Sequence, residues 1–454
     1  MFAKVEKVHF VGIGGIGMSG IAKVLRNLGF KVTGSDIKPT EITEKLKEIG
    51  IDVFYDHKPE NVKGASVVVY SSAVSENNPE ILYAKSKGVP VIPRAEMLAE
   101  LMRMKYSICV SGSHGKTTTS SIIGEILEGA GLDPTIVIGG IVKGADMGSK
   151  LGLGEYLVAE ADESDRSFLF LFPTLAVITS IDEEHLDCYP DLLSIKKAFS
   201  DFASRVPFYG AVIGCIDDAN VEEVLSGCHR RVITYGIEKE ALLKAWGINL
   251  NRDYSSFNVS WKDKTLGRVR LKLLGRHSIL NSLAGIAVGI ELGIDFSHIK
   301  ASLERFEGVK RRLEIKGEKG GIVVVDDYGH HPTEIKTTLE ALRLKFKENR
   351  VITVFQPHRY TRTFYLFREF GSAFKDTDIL IITDIYPAGE KPIKGVTAGL
   401  IVDSVKECNK PAEYIKGFEE IVEYLLRILR KGDVVLTLGA GNIWQIGEML
   451  LSRL

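Results

Sequence analysis

The sequence predicts an α/β protein made of three successive units, each with a mainly parallel sheet covered by helices. Short apolar runs of strand length alternate with helix-length amphipathic segments along the whole chain, which is typical of parallel sheets. Two of the apolar runs lead into glycine-rich turns that open a helix. A chain of 454 residues with 45% hydrophobic content can bury about three cores. We place the boundaries near 105 and 310, giving units 1–105, 106–310 and 311–454.

The first unit begins with a buried strand at 8–13, and an apolar-periodic helix then runs to residue 28. Further strands are predicted at 67–70 and 89–92, and the segment 95–104 is predicted as the last helix.

The turn after the first strand has the spacing Gly-x-Gly-x-x-Gly, from Gly12 through Gly14 to Gly17. Asp36 lies 19 residues after Gly17, close to the position of a ribose-binding acid, so the turn alone predicts a dinucleotide. A glycine turn at a helix N-terminus binds any pyrophosphate, however, and a UDP-sugar carries one. Tight packing without a ligand remains an alternative. Ser71 and Ser72 follow another strand and are either ligand contacts or a simple turn.

The second unit opens with the most informative stretch of the chain, a strand at 106–110 followed by Gly112-Ser113-His114-Gly115-Lys116-Thr117-Thr118. A glycine turn between strand and helix leaves backbone N–H groups free to hold phosphate oxygens. Lys116 supplies a positive charge to the β- and γ-phosphates, and the Thr117 hydroxyl can ligate Mg²⁺. Val110 stands where the usual P-loop has its first glycine, so this loop is a shortened variant. A structural turn is the alternative; we predict a nucleoside triphosphate site.

Candidate magnesium ligands follow two later strands of this unit, at 156–159 and 175–179. Glu160 opens an acidic segment that ends at Asp165, and His185 lies just past the second strand. Ligands bind at the carboxyl ends of the strands in open α/β sheets, so both segments can converge on the triphosphate. Mg²⁺ prefers oxygen ligands, so a carboxylate and Thr117 suit it better than His185 does. A charged surface turn and a solvated loop histidine are the alternatives.

The third unit is a further α/β series with strands at 321–325, 350–355, 378–383 and 433–438.

Composition excludes several classes of protein. Lys and Arg number 58 against 59 Asp and Glu, which gives no electrostatic case for nucleic acid or an anionic membrane. The five scattered cysteines have no metal-binding spacing and favour a reducing cytoplasm. No apolar run approaches membrane-spanning length, and the first residues lack the apolar region of a signal peptide. We therefore expect a cytoplasmic protein.

Together these motifs resemble the bacterial Mur ligase family, and the resemblance runs essentially from end to end. Segments that carry it are 9–20, the Gly112–Thr119 loop, 160–165, Asp326-Asp327-Tyr328-Gly329-His330-His331-Pro332 and 355–362. The last two segments indicate the branch that adds L-alanine to UDP-N-acetylmuramate.

The resemblance implies a three-domain, ATP-dependent, amide-forming ligase of peptidoglycan precursor synthesis that works through an acyl phosphate. It implies a Rossmann-like first domain, a P-loop ATPase-like central domain and a Rossmann-like third domain. UDP-N-acetylmuramate, L-alanine and ATP are the implied substrates, with two Mg²⁺ ions. We expect a monomer or weak homodimer.

The resemblance also assigns individual residues. The UDP-sugar would bind Gly14, Gly15, Ile16, Gly17, Asp36, Ser71 and Ser72. Thr117 and Glu160 match the ligands of one Mg²⁺, and His185 matches a ligand of the second. Residues matching nucleotide contacts outside the loop are His277, Asn281, Arg312 and Asp327. Lys116, His330, Arg359 and Arg362 are the predicted catalytic residues, the last three near the amino acid; interface ion pairs are the alternative for the arginines.

Four positions depart from the usual family pattern: Ser113, Ser180, Glu184 and Ser278. Three other functions fit part of the sequence. A ligase that recycles a whole murein peptide is the nearest, but the glycine turn differs from the turn of that branch. A nicotinamide oxidoreductase explains the first turn and Asp36 but leaves Lys116 and Glu160 without a role. A non-enzymatic sensor of UDP-sugars would not need the phosphate loop and the acidic segment.

Overall fold

In the computed structural model, the chain folds into three successive α/β units, each with its own sheet, which confirms the predicted fold class. The structure describes residues 5–71, 73–140, 142–143, 149–186 and 188–454. We call the units N-terminal, central and C-terminal, after the sheets they contain.

The N-terminal unit has a five-stranded parallel sheet in the order β3-β2-β1-β4-β5. Its strands are β1 Lys7–Val11, β2 Lys31–Ser35, β3 Asp52–Phe54, β4 Val67–Tyr70 and β5 Val91–Pro93. Its helices are α1 Ile16–Asn27, α2 Glu41–Glu48, α3 Pro79–Ser86 and α4 Arg94–Met102. The strand order reverses between β1 and β4, which is where open α/β sheets bind ligands. The glycine turn lies at that point.

The central unit has a ten-stranded sheet that is mainly parallel. Its strands are β6 Tyr106–Ser111, β7 Thr135–Val137, β8 Ser149–Lys150, β9 Tyr156–Glu160, β10 Leu175–Ile178, β11 Ala211–Cys215, β12 Val232–Gly236, β13 Leu243–Leu250, β14 Ser255–Trp261 and β15 Lys264–Leu271. Its helices are α5 Lys116–Gly129, α6 Leu192–Ser204, α7 Ala219–Ser226, α8 Arg276–Glu291 and α9 Phe296–Arg305. One edge is an antiparallel β13-β14-β15 meander, which the sequence analysis did not predict.

The C-terminal unit has a six-stranded sheet in the order β16-β17-β21-β18-β19-β20, in which only the edge strand β16 runs antiparallel. Its strands are β16 Glu314–Lys319, β17 Ile322–Asp327, β18 Val351–Phe355, β19 Ile379–Ile382, β20 Ala412–Tyr414 and β21 Val434–Leu438. Its helices are α10 Pro332–Lys345, α11 Tyr360–Gly371, α12 Gly399–Glu407, α13 Phe418–Ile428 and α14 Trp444–Arg453.

The buried side chains divide unevenly among the units. One apolar cluster continues from the N-terminal unit, through Met18 and Met102, into the central unit, where it includes Leu157 and Phe168. The C-terminal unit has separate clusters on the two faces of its sheet. Among the described residues, no helix combines the length and apolar character needed to cross a membrane.

Candidate functional site

The phosphate loop connects β6 to α5 and depends on two glycines. Gly112 and Gly115 have φ of +136° and +79°, in the region that disfavours other residues. A side chain would also collide, because a Cβ on Gly112 would lie 2.1 Å from Thr179 Oγ1. On Gly115 it would lie 2.5 Å from Asn281 Oδ1. The sequence therefore fixes a tight loop whose amides precede the N-terminus of a fourteen-residue helix.

Lys116 is held inside this loop by a buried acid. Its Nζ donates to the Gly112 carbonyl at 2.6 Å and to Glu163 Oε1 at 2.8 Å. Although burial opposes it, the nearby carboxylates, Glu163 first among them, raise the pKa of Lys116 above its usual value. Lys116 is therefore a permanent positive charge at the predicted position of the β- and γ-phosphates.

The first predicted cation site has adjacent oxygen ligands. Thr117 Oγ1 lies 3.0 and 3.1 Å from the two carboxylate oxygens of Glu160, which ends β9. The Gly139 amide donates to Glu160 Oε2 at 2.8 Å and orients the carboxylate. Burial raises the pKa of Glu160, and the charge of Lys116 opposes that shift. A hydroxyl beside a carboxylate, next to the phosphate loop, is a donor set that fits Mg²⁺.

His185 is partly buried, with a side chain only 14% exposed, so the alternative of a solvated loop histidine is wrong. Its Nε2 lies 3.6 Å from Glu163 Oε1 and 3.9 Å from Glu184 Oε1. Burial lowers the pKa of His185, but these acids outweigh it and the net shift is upward. The acidic segment is likewise not simply a charged surface turn, because Glu163 is only 2% exposed.

A cleft of about 500 Å³ lies between the central and C-terminal units and brings together the predicted nucleotide contacts. The predicted residues that line it are His114, Gly115, Thr118, His277, Asn281, Arg312 and Asp327. Burial and the charge of Arg312 lower the pKa of His277 to about 4, so the ring is neutral at pH 7. A neutral imidazole offers one donor and one acceptor, which suits recognition of a base.

The predicted amino-acid residues lie across the interface from His185. A small cleft is lined by Glu184, His185, Arg359 and Arg362, among others. Arg362 Nη2 donates to Glu184 Oε1 at 2.7 Å, and both side chains are under 10% exposed. His330 Nε2 lies 3.8 Å from the same oxygen. Burial, together with Arg362, lowers the pKa of His330 to about 4. Arg362 therefore does form an ion pair at the interface, which was the alternative given for the arginines.

Further contacts join the loop to the C-terminal unit. His114 Nε2 lies 3.0 Å from Asp182 Oδ2, which also accepts a hydrogen bond from Thr333 Oγ1 at 2.7 Å. Within the described ranges, His114, Asp182 and His331 are the only three His, Cys, Asp or Glu side chains whose ligand atoms cluster closely. Burial opposes protonation of His114, but Asp182 and Glu334 raise its pKa to about 10.

The N-terminal glycine turn is stabilised from within. Asp36 Oδ2 accepts from the Gly14 amide at 2.8 Å, so this acid shapes the turn directly. Gly15 and Ile16 are exposed at its tip, Gly17 is half-buried beside them, and Ser71 lies next to Gly12. Ser72 lies outside the described residues.

Sequence reasoning missed the roles of several acids. Glu163 lies in the acidic segment 160–165, and Asp182 and Glu184 lie just before His185 in the sequence, but their burial and partners come from the fold. Glu184, a departure from the family pattern, reaches Arg362. The other departures keep local roles: the Ser180 hydroxyl accepts from the His114 amide, the Ser113 hydroxyl accepts from the Asp182 amide, and the Ser278 hydroxyl donates to the Leu274 carbonyl.

Three family models match the chain in succession. "Mur ligase family, catalytic domain" matches residues 7–106, "Mur ligase middle domain" matches 110–289, and "Mur ligase, glutamate ligase domain" matches 311–441.

Individual proteins and structures agree with these matches. The UDP-N-acetylmuramate–L-alanine ligase of Geobacter sp. (strain M21) is 52% identical over 100% of this chain and 99% of its own length. The crystal structure of UDP-N-acetylmuramate-alanine ligase from Thermotoga maritima has a TM-score of 0.83 and 30% identity, covering 98% of both chains. A murein peptide ligase from Psychrobacter arcticus, at 24% identity and a TM-score of 0.74 over 98% of both chains, shares the fold.

Proposed function

The chain belongs to the Mur ligase family, and from that premise we propose that it joins L-alanine to the carboxylate of UDP-N-acetylmuramate. ATP is converted to ADP and phosphate in the reaction. The product is the first amino-acid adduct of a peptidoglycan precursor. Support comes from the relative of that activity, which matches the chain over its whole length at 52% identity.

The observation that carries the proposal is the arrangement of charges at the interface of the central and C-terminal units. Lys116 and the Thr117–Glu160 pair belong to the central unit. The C-terminal unit brings Arg362 against Glu184 and His330 within 3.8 Å of the same carboxylate. A phosphate-binding loop thus faces basic and imidazole groups suited to an amino acid.

In the proposed reaction, the sugar carboxylate attacks the γ-phosphorus of ATP. The bond from that phosphorus to the bridging oxygen breaks, so ADP leaves and an acyl phosphate is formed. The amine of L-alanine then attacks the acyl carbon, and phosphate leaves. Phosphoryl transfer requires charge neutralisation and positioning more than it requires a protein nucleophile. Lys116 supplies one fixed charge, and Arg359 and Arg362 supply two more on the side of the amino acid. His330, neutral at pH 7, can accept a hydrogen bond there.

Thr117 and Glu160 would hold one Mg²⁺ and His185 would contribute to a second, and these ions would neutralise phosphate charge. Gly112, Ser113, His114, Gly115, Lys116 and Thr118 would contact the phosphates of ATP. His277, Asn281, Arg312 and Asp327 would contact the rest of the nucleotide.

The UDP-sugar would bind the N-terminal unit at Gly14–Gly17, Asp36, Ser71 and Ser72. Asp36 already accepts a hydrogen bond from the Gly14 amide. It would therefore preorganise the turn for the pyrophosphate.

The proposal includes the domain division 1–105, 106–310 and 311–454, one substrate to each domain. It also includes a monomer or weak homodimer in the cytoplasm, where the free cysteines would stay reduced.

The test is phosphate release from ATP with UDP-N-acetylmuramate and one acceptor at a time: L-alanine, glycine, L-serine or L-Ala-γ-D-Glu-meso-diaminopimelate. We expect release that requires both the UDP-sugar and L-alanine, with an amide product of matching mass. Release only with the tripeptide would assign the recycling reaction instead.

Replacing the loop lysine tests the ATP site separately. Lys116→Ala removes the fixed charge, so we expect loss of phosphate release with UDP-sugar binding kept, measured by calorimetry. Lys197→Ala, an exposed lysine of α6, is the matched control and should behave as wild type. Equal turnover in Lys116→Ala would contradict the assignment.

A further inference from the structure

We propose that Glu163 is a ligand of the second divalent cation, together with His185, and that its carboxylate holds Lys116 at the same time. This inference rests on the proposed function, since that function places two cations beside the phosphates. It adds an anionic oxygen ligand to a site for which the sequence offered only an imidazole.

The first observation is a buried carboxylate oxygen without a partner. Glu163 is 2% exposed, and its Oε1 accepts from Lys116 Nζ at 2.8 Å. Its Oε2 is buried and has no hydrogen-bond partner among the described groups. Leaving a charged oxygen buried and unpaired is costly, and such exceptions call for an explanation. A divalent cation would satisfy this oxygen.

The second observation is that one residue, Tyr189, is hydrogen-bonded to the backbone of both Glu163 and His185. The buried Tyr189 donates its hydroxyl to the Glu163 carbonyl at 2.7 Å. Its amide donates to the His185 carbonyl at 2.9 Å. The segment after β9 and the segment after β10 are therefore tied to the same residue, which keeps the two proposed ligands adjacent.

The distance between the proposed ligands suits a shared ion. His185 Nε2 lies 3.6 Å from Glu163 Oε1, the oxygen that accepts from Lys116, and the unpaired Oε2 belongs to the same carboxylate. Two atoms that are each about 2.1 Å from one Mg²⁺ are at most about 4.2 Å apart. Glu184 Oε1, at 3.9 Å from the same nitrogen, also meets this limit. However, Glu184 is paired with Arg362 across the interface at 2.7 Å, and of these two acids only Glu163 has a buried oxygen without a hydrogen-bond partner.

The chemistry of the ion favours the same choice. Mg²⁺ prefers hard oxygen ligands and keeps several waters, so an imidazole alone is a poor site for it. A carboxylate that contacts Lys116 with one oxygen and the cation with the other would place both positive charges beside the phosphates.

The experiment counts Mn²⁺ ions bound to the full chain by electron paramagnetic resonance, with a non-hydrolysable ATP analogue and UDP-N-acetylmuramate present. We expect two ions for wild type. In Glu163→Gln, which keeps the shape and one oxygen for Lys116, the second ion should bind at least tenfold more weakly. His185→Ala should lose the same ion, and the double variant should be no worse than either single variant. Asp165→Asn, an exposed acid of the same segment, is the control and should bind two.

Two further variants separate a cation ligand from a mere partner of the lysine. Lys116→Met removes the lysine charge but should still bind two Mn²⁺ ions. Glu163→Asp keeps the charge on a shorter side chain, so it should bind the second ion with intermediate affinity. Two tight ions in Glu163→Gln would overturn the proposal, and so would a single ion in wild type. Because the readout is ion binding, an unexpected acceptor in the phosphate assay would overturn the proposed function and leave this result standing.

Discussion

The central unit joins its two neighbours in different ways. Towards the N-terminal unit the junction is apolar, with one continuous core cluster running from Met18 to Phe168. Towards the C-terminal unit the contacts near the cleft are polar: Arg362 with Glu184, Thr333 with Asp182, and His114 near Glu334. Apolar burial is non-directional and involves no titrating group, whereas paired charges depend on the protonation of both partners.

This difference indicates which unit can respond to ligands. The polar junction is made of the groups that the proposed reaction needs, so substrates would compete for them. Among the described residues, the core cluster at the other junction is made of apolar side chains, and it should keep the N-terminal and central units together in every ligand state. We therefore expect the C-terminal unit to move most between free and bound forms.

The largest effect should come from breaking the buried ion pair of the polar junction. Arg362→Leu leaves Glu184 without its partner, and losing one partner of a buried pair costs about 3–5 kcal/mol. We expect turnover to fall by at least about 100-fold and the radius of gyration, from small-angle X-ray scattering, to increase. Arg368→Leu, exposed on the same helix, is the control. The double variant Arg362→Leu, Glu184→Met should restore the compact form but not turnover. An unchanged radius in Arg362→Leu would contradict the comparison.

A smaller effect should follow from pH. The pKa of His114 is raised to about 10. Its contribution to the stability of the closed polar junction is therefore complete below about pH 6.5 and is lost as pH rises towards 10. The pKa of His330 is lowered to about 4, so the closed junction loses stability as pH falls from about 6.5 towards 4. Scattering from pH 4 to 10 should show the most compact form near pH 6.5. In His114→Gln, the radius of gyration should no longer change on the alkaline side, while the acidic side stays as in wild type. A pH profile identical to that of wild type would refute the role of His114.

The smallest effect should come from the apolar junction, and it should be independent of pH. A Cβ on Gly20, in α1, would lie 2.8 Å from Ser149 Oγ and 2.9 Å from Ser149 Cβ in the central unit. Gly20→Leu overpacks this contact and should cost about 1–3 kcal/mol of unfolding free energy in thermal or denaturant unfolding. Adding Ser149→Gly removes both atoms and should recover most of the loss. A pH-dependent cost would contradict an apolar junction.

Much of the site could be predicted because its backbone chemistry is local. The loop between β6 and α5 contains the glycines, Lys116 and Thr117, and the strand β9 ends at Glu160. The structure brings Thr117 and Glu160 into contact. The antiparallel β13-β14-β15 meander could not be predicted in this way, because the alternation of strands and helices indicates only parallel pairing.

The sequence by itself determined the α/β class and the two glycine turns, because these follow from short-range periodicity and spacing. The predicted residues for the amino acid came from the resemblance to the family. Only the tertiary structure decided which acids pair with which basic side chains. Glu163 meets Lys116 across 47 positions of the chain, and Glu184 meets Arg362 across 178. Burial and charge pairing at such separations depend on how whole units pack, and no local pattern in a sequence encodes that.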